Sequence, residues 1–347
     1  MFDLEQLIRP HLRSIQRYSS ARDEFFGEAS VYLDANESPF ANRLNRYPDG
    51  NQRELCKVGS TWLGLDPKQL LFVNGSDEGI DLLIRAFAEP GQDRILISSP
   101  TYGMYKVWAE VSGVGVVDLP LKEDFELDGE QLAQRNDNRD KLLFICSPNN
   151  PSGNSFPRSE ILSIVRNFSG LVVVDEAYID FASSPSLLVD LANCPNLVIL
   201  RTFSKAWGFA GLRVGMVIAS PSIIEVLRRI KPPYNIGTPA QDKIISALSC
   251  AQQLAQVKTN VELLKAERAR LGQAIGGLPS VVRVFPSQGN FLLVRTSDSK
   301  RIYECLLARG IVVRDRSNQT GCSGCLRVSV GTPDENDILL SCWRSCV

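Results

Sequence analysis

One lysine stands out in the run Thr202-Phe203-Ser204-Lys205-Ala206-Trp207-Gly208-Phe209-Ala210-Gly211-Leu212-Arg213. Hydroxyls and small residues surround it, an apolar stretch (Leu197 to Leu200) precedes it, and an arginine follows eight positions later. A lysine amine bonds covalently to carbonyl compounds, so such a lysine is suited to hold an aldehyde. A second segment, Leu171-Val172-Val173-Val174-Asp175-Glu176-Ala177-Tyr178, puts a carboxylate at the end of an apolar strand. A buried carboxylate needs a cationic partner, and a protonated ring nitrogen is one.

Two further stretches add donors. Asn74-Gly75-Ser76-Asp77-Glu78-Gly79 follows an apolar strand and opens a helix from Ile80 to Phe87. Free amides and the positive dipole end of a helix suit a phosphate. Plain capping by Ser76, with acids in the first turn, explains the same residues equally well. The turn Cys146-Ser147-Pro148-Asn149-Asn150-Pro151-Ser152-Gly153 offers the Asn150 amide as a fixed donor to a phenolate oxygen, although proline-rich turns are common. Lys205 and Asp175 together suggest an enzyme of pyridoxal 5'-phosphate (PLP).

The rest of the chain narrows the chemistry. His11 is the only histidine and lies in a polar N-terminal stretch. A Ser-His-Asp triad would need it, and histidine-rich metal centres are excluded. Proton transfer therefore rests on Lys, Tyr, Asp or Glu. The phosphate-loop pattern G-x-x-x-x-G-K-[ST] is absent, and Gly113-Val114-Gly115 lacks the third glycine of the dinucleotide fingerprint. Cys322 and Cys325, with Cys342 and Cys346 downstream, loosely match a four-cysteine zinc spacing. Cys325 opens an apolar strand, however, and Cys342 and Cys346 fall in an amphipathic terminal helix, so packing is expected and no metal. With no leader-like N-terminus and no long apolar run, a cytoplasmic protein is expected, its nine cysteines reduced. A net charge of -1 provides no field for nucleic acid or membrane, so neither is an expected partner.

The elements that position these residues read as α/β. Short apolar strands are predicted at Leu70–Val73, Arg94–Ser98, Gly115–Asp118, Lys141–Cys146, Leu171–Asp175, Leu197–Arg201 and Val214–Ala219, with helices between. Such runs indicate a mostly parallel seven-stranded sheet covered on both faces, with ligands beyond the carboxyl ends of its strands. A long helical stretch over 238–275 leads into a smaller α+β region with strands at Val281–Phe285, Phe291–Arg295, Ile311–Arg314 and Cys325–Val330. The expected organisation is an N-terminal arm (1–44) packed on the small domain, a large cofactor-binding domain (45–238) and a small C-terminal domain (239–347).

The order Asn-Pro-Ser-Gly (150–153), Asp-Glu-Ala-Tyr (175–178) and Ser-Lys (204–205) with Arg213 resembles the fold-type I, class II PLP-dependent aminotransferases. Leu33 to Pro39, Arg46 to Asp49, Gly75 to Phe87, Pro100 to Tyr105 and Gly321 to Thr332 are similar to the histidinol-phosphate aminotransferase branch of that family. The likeness runs from about Arg9 to the C-terminus. Ser152 stands where the family more often has threonine, a change expected to be silent, and Trp207 and Gly208 depart from commoner neighbours of the lysine.

The resemblance implies a role for each matching residue. Lys205 holds PLP covalently and moves the proton. Asp175 pairs with the ring nitrogen. Asn150 and Tyr178 hydrogen-bond the phenolic oxygen, and Tyr102 stacks on the ring. Ser76, Asp77, Thr202, Ser204 and Arg213 hold the cofactor phosphate, joined by Tyr47 of a neighbouring subunit in a homodimer with shared sites. Arg327, Arg314 and Tyr18 receive the anionic end of the substrate. The implied reaction is a reversible ping-pong transamination of L-histidinol phosphate and 2-oxoglutarate to imidazole acetol phosphate and L-glutamate, in histidine biosynthesis. An aromatic or broad-range aminotransferase, a PLP lyase resembling threonine-phosphate decarboxylase, and a non-catalytic module on the same frame are the alternatives. Retention of both Lys205 and Asp175 argues against the last.

Overall fold

Apolar runs too short for helices form the strands of the larger sheet. They are β1 (Leu70–Asn74), β2 (Arg94–Ile97), β3 (Gly115–Asp118), β4 (Asp140–Cys146), β5 (Leu171–Asp175), β6 (Leu197–Thr202) and β7 (Val214–Ile218). The computed structural model describes residues 2–346 apart from Phe26, Glu28, Arg43 and Asn136. The sheet has seven strands in the order β1-β7-β6-β5-β4-β2-β3. β7 runs antiparallel to both neighbours and the remaining pairs are parallel.

Core packing explains the sequence pattern. Every residue of β5 is buried. Val172 and Val174 enter one apolar cluster, and Leu171 and Val173 enter the cluster on the opposite face, as the two-residue alternation of a strand requires. Each fully buried valine contributes roughly 1.5–3 kcal/mol. Burial on both faces fixes the register, which aligns the carboxyl ends of the strands: Cys146 lies opposite Asp175, and Asp175 opposite Leu200.

A smaller antiparallel sheet follows, built from β8 (Val281–Val284), β9 (Phe291–Thr296), β10 (Arg314–Asp315) and β11 (Cys325–Ser329) in the order β10-β11-β9-β8. Its core gathers around Trp343 and Leu271. The strand expected at Ile311–Arg314 shrinks to two residues at Arg314–Asp315, and the long helical stretch breaks at Cys250 into Thr238–Ser249 and Ala251–Gly276.

Two expectations are corrected. The start of the arm packs on the large sheet's side rather than on the small domain. Leu7, Ile8 and Leu12 join the cluster that holds Phe87 and Ala88, the Arg9 N–H donates to the Ala86 carbonyl at 3.2 Å, and the Arg9 guanidinium pairs with Glu89 at 3.1 Å. The apolar end of the helix Gly75–Phe87 is the surface these side chains cover. The cysteines are not all free thiols: Cys305 and Cys346 form a disulfide. The helices Ser299–Ala308 and Pro333–Arg344 pack together and bring the two Cα atoms to 5.7 Å, within disulfide reach. Cys346 is thereby withdrawn from the four-cysteine pattern.

Candidate active site

The aligned strand ends of the large sheet build one cavity. After β6 the chain turns tightly: the Ser204 N–H donates to Thr202 Oγ1 at 3.1 Å, and Thr202 Oγ1 donates to Ser204 Oγ at 3.0 Å. This turn presents Lys205, whose Nζ lies 5.6 Å from the centroid of the Tyr178 ring. Lys205 is reached by solvent along the cavity. Its pKa is nonetheless lowered, first by desolvation and then by the positive charge of Arg327, with Asp175 pulling the other way.

Asp175 ends β5 and is 2% exposed. Burial pushes its carboxyl up to about 6, against two donors that favour the carboxylate. The Tyr105 hydroxyl donates to Oδ2 at 2.8 Å, and the Ala177 N–H donates to Oδ1 at 3.0 Å. Tyr105 is fully buried and stacks on Phe144 with centroids 4.8 Å apart, so its hydroxyl position is set by packing on both sides. Tyr178 is buried and meets Phe291 edge-on at 5.0 Å. Burial raises its pKa, keeping the phenol a donor.

The helix Gly75–Phe87 begins two residues earlier than a Ser76 cap implies, with Asn74 at the cap position and no side-chain cap hydrogen bond. The amides expected to meet a phosphate are thus not occupied by a capping side chain. Glycine is required there on two counts. Gly75 has φ +70°, and a Cβ on it would sit 2.6 Å from Arg213 Nη2. A Cβ on Gly215 of β7 would lie 2.5 Å from the Ser76 nitrogen. These glycines let the helix start, β7 and Arg213 close together around one point. Arg213 Nη2 lies 3.4 Å from Asp77 Oδ2, and the Tyr102 hydroxyl donates to Asp77 Oδ1 at 2.9 Å.

Asn150 follows β4 and links the two sheets. Arg327 of β11 donates from Nη1 to Asn150 Oδ1 at 2.5 Å. The Arg327 guanidinium also lies over the Phe291 ring at 5.5 Å. Desolvation lowers its pKa, and among the described residues no carboxylate pairs with it. Arg327 is thus an unpaired, desolvated cation whose charge is felt at Lys205.

The donor set fits PLP. A buried carboxylate suits a ring nitrogen, an amide and a phenol suit the ring oxygen, and a lysine amine suits the aldehyde. Uncapped amides, two hydroxyls and Arg213 suit the phosphate, in a cradle that a Cβ at position 75 would fill.

Four sequence-predicted residues are not in the cavity lining: Arg327 reaches it only through Asn150, and three others lie farther out. Tyr47 is 51% exposed and stacks on Tyr234 at 4.5 Å, in a separate depression with Glu37 and Thr238. Tyr18 is exposed beside Asp23 and Tyr234. Arg314 is exposed near Tyr303 and Asn318, although it pairs across the strands with Arg327. Two residues given no role from sequence come into play. Tyr105 was signalled by its place on an apolar helix, since a buried tyrosine hydroxyl needs a partner. Arg316 shares the small-sheet edge with Arg314, and only the folded strand pairing reveals it.

The fold and this site define a class. A profile of the "Aminotransferase class I and II" family matches residues 32–342, and the chain belongs to that family. Among curated relatives, a histidinol-phosphate aminotransferase of Parabacteroides distasonis is 48% identical over 345 residues, covering 99% of each chain. A histidinol-phosphate aminotransferase of Bacteroides fragilis is 46% identical over 345 residues, again covering 99% of each. Among solved structures, the histidinol-phosphate aminotransferase of Clostridium acetobutylicum is 27% identical, with a TM-score of 0.79 over 87% of this chain and 90% of that one.

Proposed function

We propose that this chain is a PLP-dependent aminotransferase of histidine biosynthesis that exchanges the amino group of L-histidinol phosphate with 2-oxoglutarate, reversibly and in ping-pong order. The products are imidazole acetol phosphate and L-glutamate. The observation that carries the reading is Arg327, a desolvated cation of the small sheet that reaches Asn150 in the lysine cavity with no carboxylate of its own. The full-length likeness to histidinol-phosphate aminotransferases supports the same substrate.

PLP, when bound, supplies an electron sink that makes the α-proton of a bound amine removable. Lys205 would hold the PLP aldehyde at rest, and its Nζ, when free, would accept the α-proton of a bound amine. The lowered pKa of the Lys205 amine favours the basic form it needs. Asp175 balances the ring-nitrogen charge, with both its oxygens fixed by Tyr105 and Ala177. Asn150 and Tyr178 serve the ring oxygen, and Tyr102 serves the ring face. Ser76, Asp77, Thr202, Ser204 and Arg213 serve the cofactor phosphate. Arg327, with Arg314 and Tyr18, receives phosphate in one half-reaction and carboxylate in the other, because a guanidinium pairs bidentately with both.

The assembly is a homodimer in which Tyr47 reaches the partner's cofactor phosphate. Its exposure outside its own cavity, in a depression shared with exposed Leu44, supports this, as do the exposed Leu33 and Phe40 of the same arm. The enzyme works in the cytoplasm. No helix among the described residues is long and apolar enough to cross a membrane. The large domain is taken as residues 45–238 and the small one as 239–347, with the helix Thr238–Ser249 packed back onto the large core through Ile244, Ala247 and Leu248. The test is a half-reaction screen of the aldehyde form with histidinol phosphate, phosphothreonine, phenylalanine and glutamate. Loss of the aldehyde absorbance with histidinol phosphate and glutamate supports the reading. Reaction with phenylalanine but not histidinol phosphate overturns it in favour of an aromatic aminotransferase.

A further inference from the structure

The small sheet carries one more cation than the assigned anion site uses. In the β10–β11 pair Arg314 lies directly opposite Arg327, and directly opposed residues share a sheet face. The ladder continues one residue beyond β10: the Arg316 N–H donates to the Cys325 carbonyl at 2.9 Å. Two-residue alternation then returns Arg316 to the face of Arg314 and Arg327. The adjacent acid is engaged elsewhere, since Asp315 Oδ1 accepts from the Ser317 N–H at 2.8 Å and from its hydroxyl at 2.6 Å.

Arg316 is half-buried, and its Nε is shut off from water without an acceptor. Such a donor is costly unless something supplies an acceptor. Burial lowers the pKa of Arg316, and the neighbouring charges of Arg327 and Arg314 lower it further. Its charge is also felt at Tyr178, which lines the lysine cavity. Three guanidinium groups thus converge on one face, and among the described residues none of them has a carboxylate partner.

The number of charges is informative. A carboxylate carries one charge on two oxygens, which a single arginine fork occupies. A phosphate monoester near neutral pH carries about two charges on three acceptor oxygens. We propose that Arg316 is a specificity-determining residue of the substrate site, a third guanidinium that favours an amine bearing a phosphate over one bearing a carboxylate. The proposal rests on the functional reading above.

The test replaces Arg316 by Gln, which removes the charge, and by Lys, which keeps it without the fork. Half-reaction kinetics are measured with histidinol phosphate and with glutamate, and inorganic phosphate is titrated as an inhibitor of the glutamate half-reaction. For Arg316→Gln the kcat/KM ratio of histidinol phosphate over glutamate falls by about tenfold, the size of one lost charge-assisted contact, mainly through KM. Inhibition by inorganic phosphate weakens by a similar factor, and Arg316→Lys falls between. Equal losses on both substrates, or no change in the ratio and in phosphate inhibition, overturn the proposal. A wild type inert to histidinol phosphate overturns the functional reading instead, and phosphate inhibition then decides on Arg316. Should the Gln variant fail to fold, the Lys variant decides: a ratio and a phosphate inhibition both equal to wild type reject the fork.

Discussion

Removing the Tyr105 hydroxyl should weaken cofactor binding through Asp175 alone. In Tyr105→Phe the ring still fills its buried place against Phe144, but Asp175 Oδ2 loses a donor at 2.8 Å. A hydrogen bond to a charged, buried group is worth about 1.5–3 kcal/mol, which raises the Asp175 pKa by about one to two units. Because that pKa already stands at about 6 in the protein without cofactor, the variant carboxyl would be about half to nine-tenths protonated at pH 7. The PLP dissociation constant, followed by cofactor absorbance and protein fluorescence at pH 7, should rise by about two- to tenfold. A double-mutant cycle isolates the cause. In an Asp175→Asn background the same Tyr105→Phe change should alter the constant by less than about twofold, since no carboxylate remains to be supported. An equal loss in both backgrounds would refute the argument, because Tyr105 would then act by shape and not through Asp175.

Further outcomes follow from the same geometry. Borohydride reduction of the PLP-loaded protein should attach the cofactor to Lys205, read by peptide mass spectrometry, and Lys205→Ala should show no such adduct. Gly75→Ala should lower PLP affinity by about tenfold and cost about 1–3 kcal/mol of stability, because its Cβ displaces Arg213 and φ is +70°; equilibrium binding and urea midpoints check both. Asp175 also ties stability to pH. Its folded pKa is raised, so the stability it contributes is complete below about 3.9 and is lost as pH rises through about 6. Urea unfolding of the cofactor-free protein should therefore show Asp175→Asn gaining on wild type from about pH 3.5 to about pH 7, toward about 3 kcal/mol in all, whereas bound PLP should abolish the difference.

The large sheet was legible because its strands are continuous apolar runs, and burial on both faces leaves β4, β5 and β6 only one pattern to adopt. Lys205, Asp175 and Asn150 could be placed because each directly follows or ends such a strand. Other features depend on partners distant in the chain. The stripe Leu7, Ile8 and Leu12 announces an apolar face without saying what it covers, and the structure pairs it with Phe87. Cys305 and Cys346 follow no spacing rule; they meet because two helices pack. Arg316 looks like a loop charge until the pairing of the two-residue β10 continues to Cys325 and returns it to the sheet face of Arg327. Tyr47 and Tyr18 lie away from their own cavity, where any role depends on a second chain or a moved arm.

The central claim is that an amino group passes from histidinol phosphate to 2-oxoglutarate through Lys205. The direct measurement supplies the purified, PLP-loaded protein with histidinol phosphate labelled with nitrogen-15 at its amine, together with 2-oxoglutarate, and reads the label by NMR. Labelled glutamate is expected to form in step with imidazole acetol phosphate, and none with Lys205→Ala. Label that stays on histidinol phosphate while phenylalanine donates its nitrogen freely would contradict that claim.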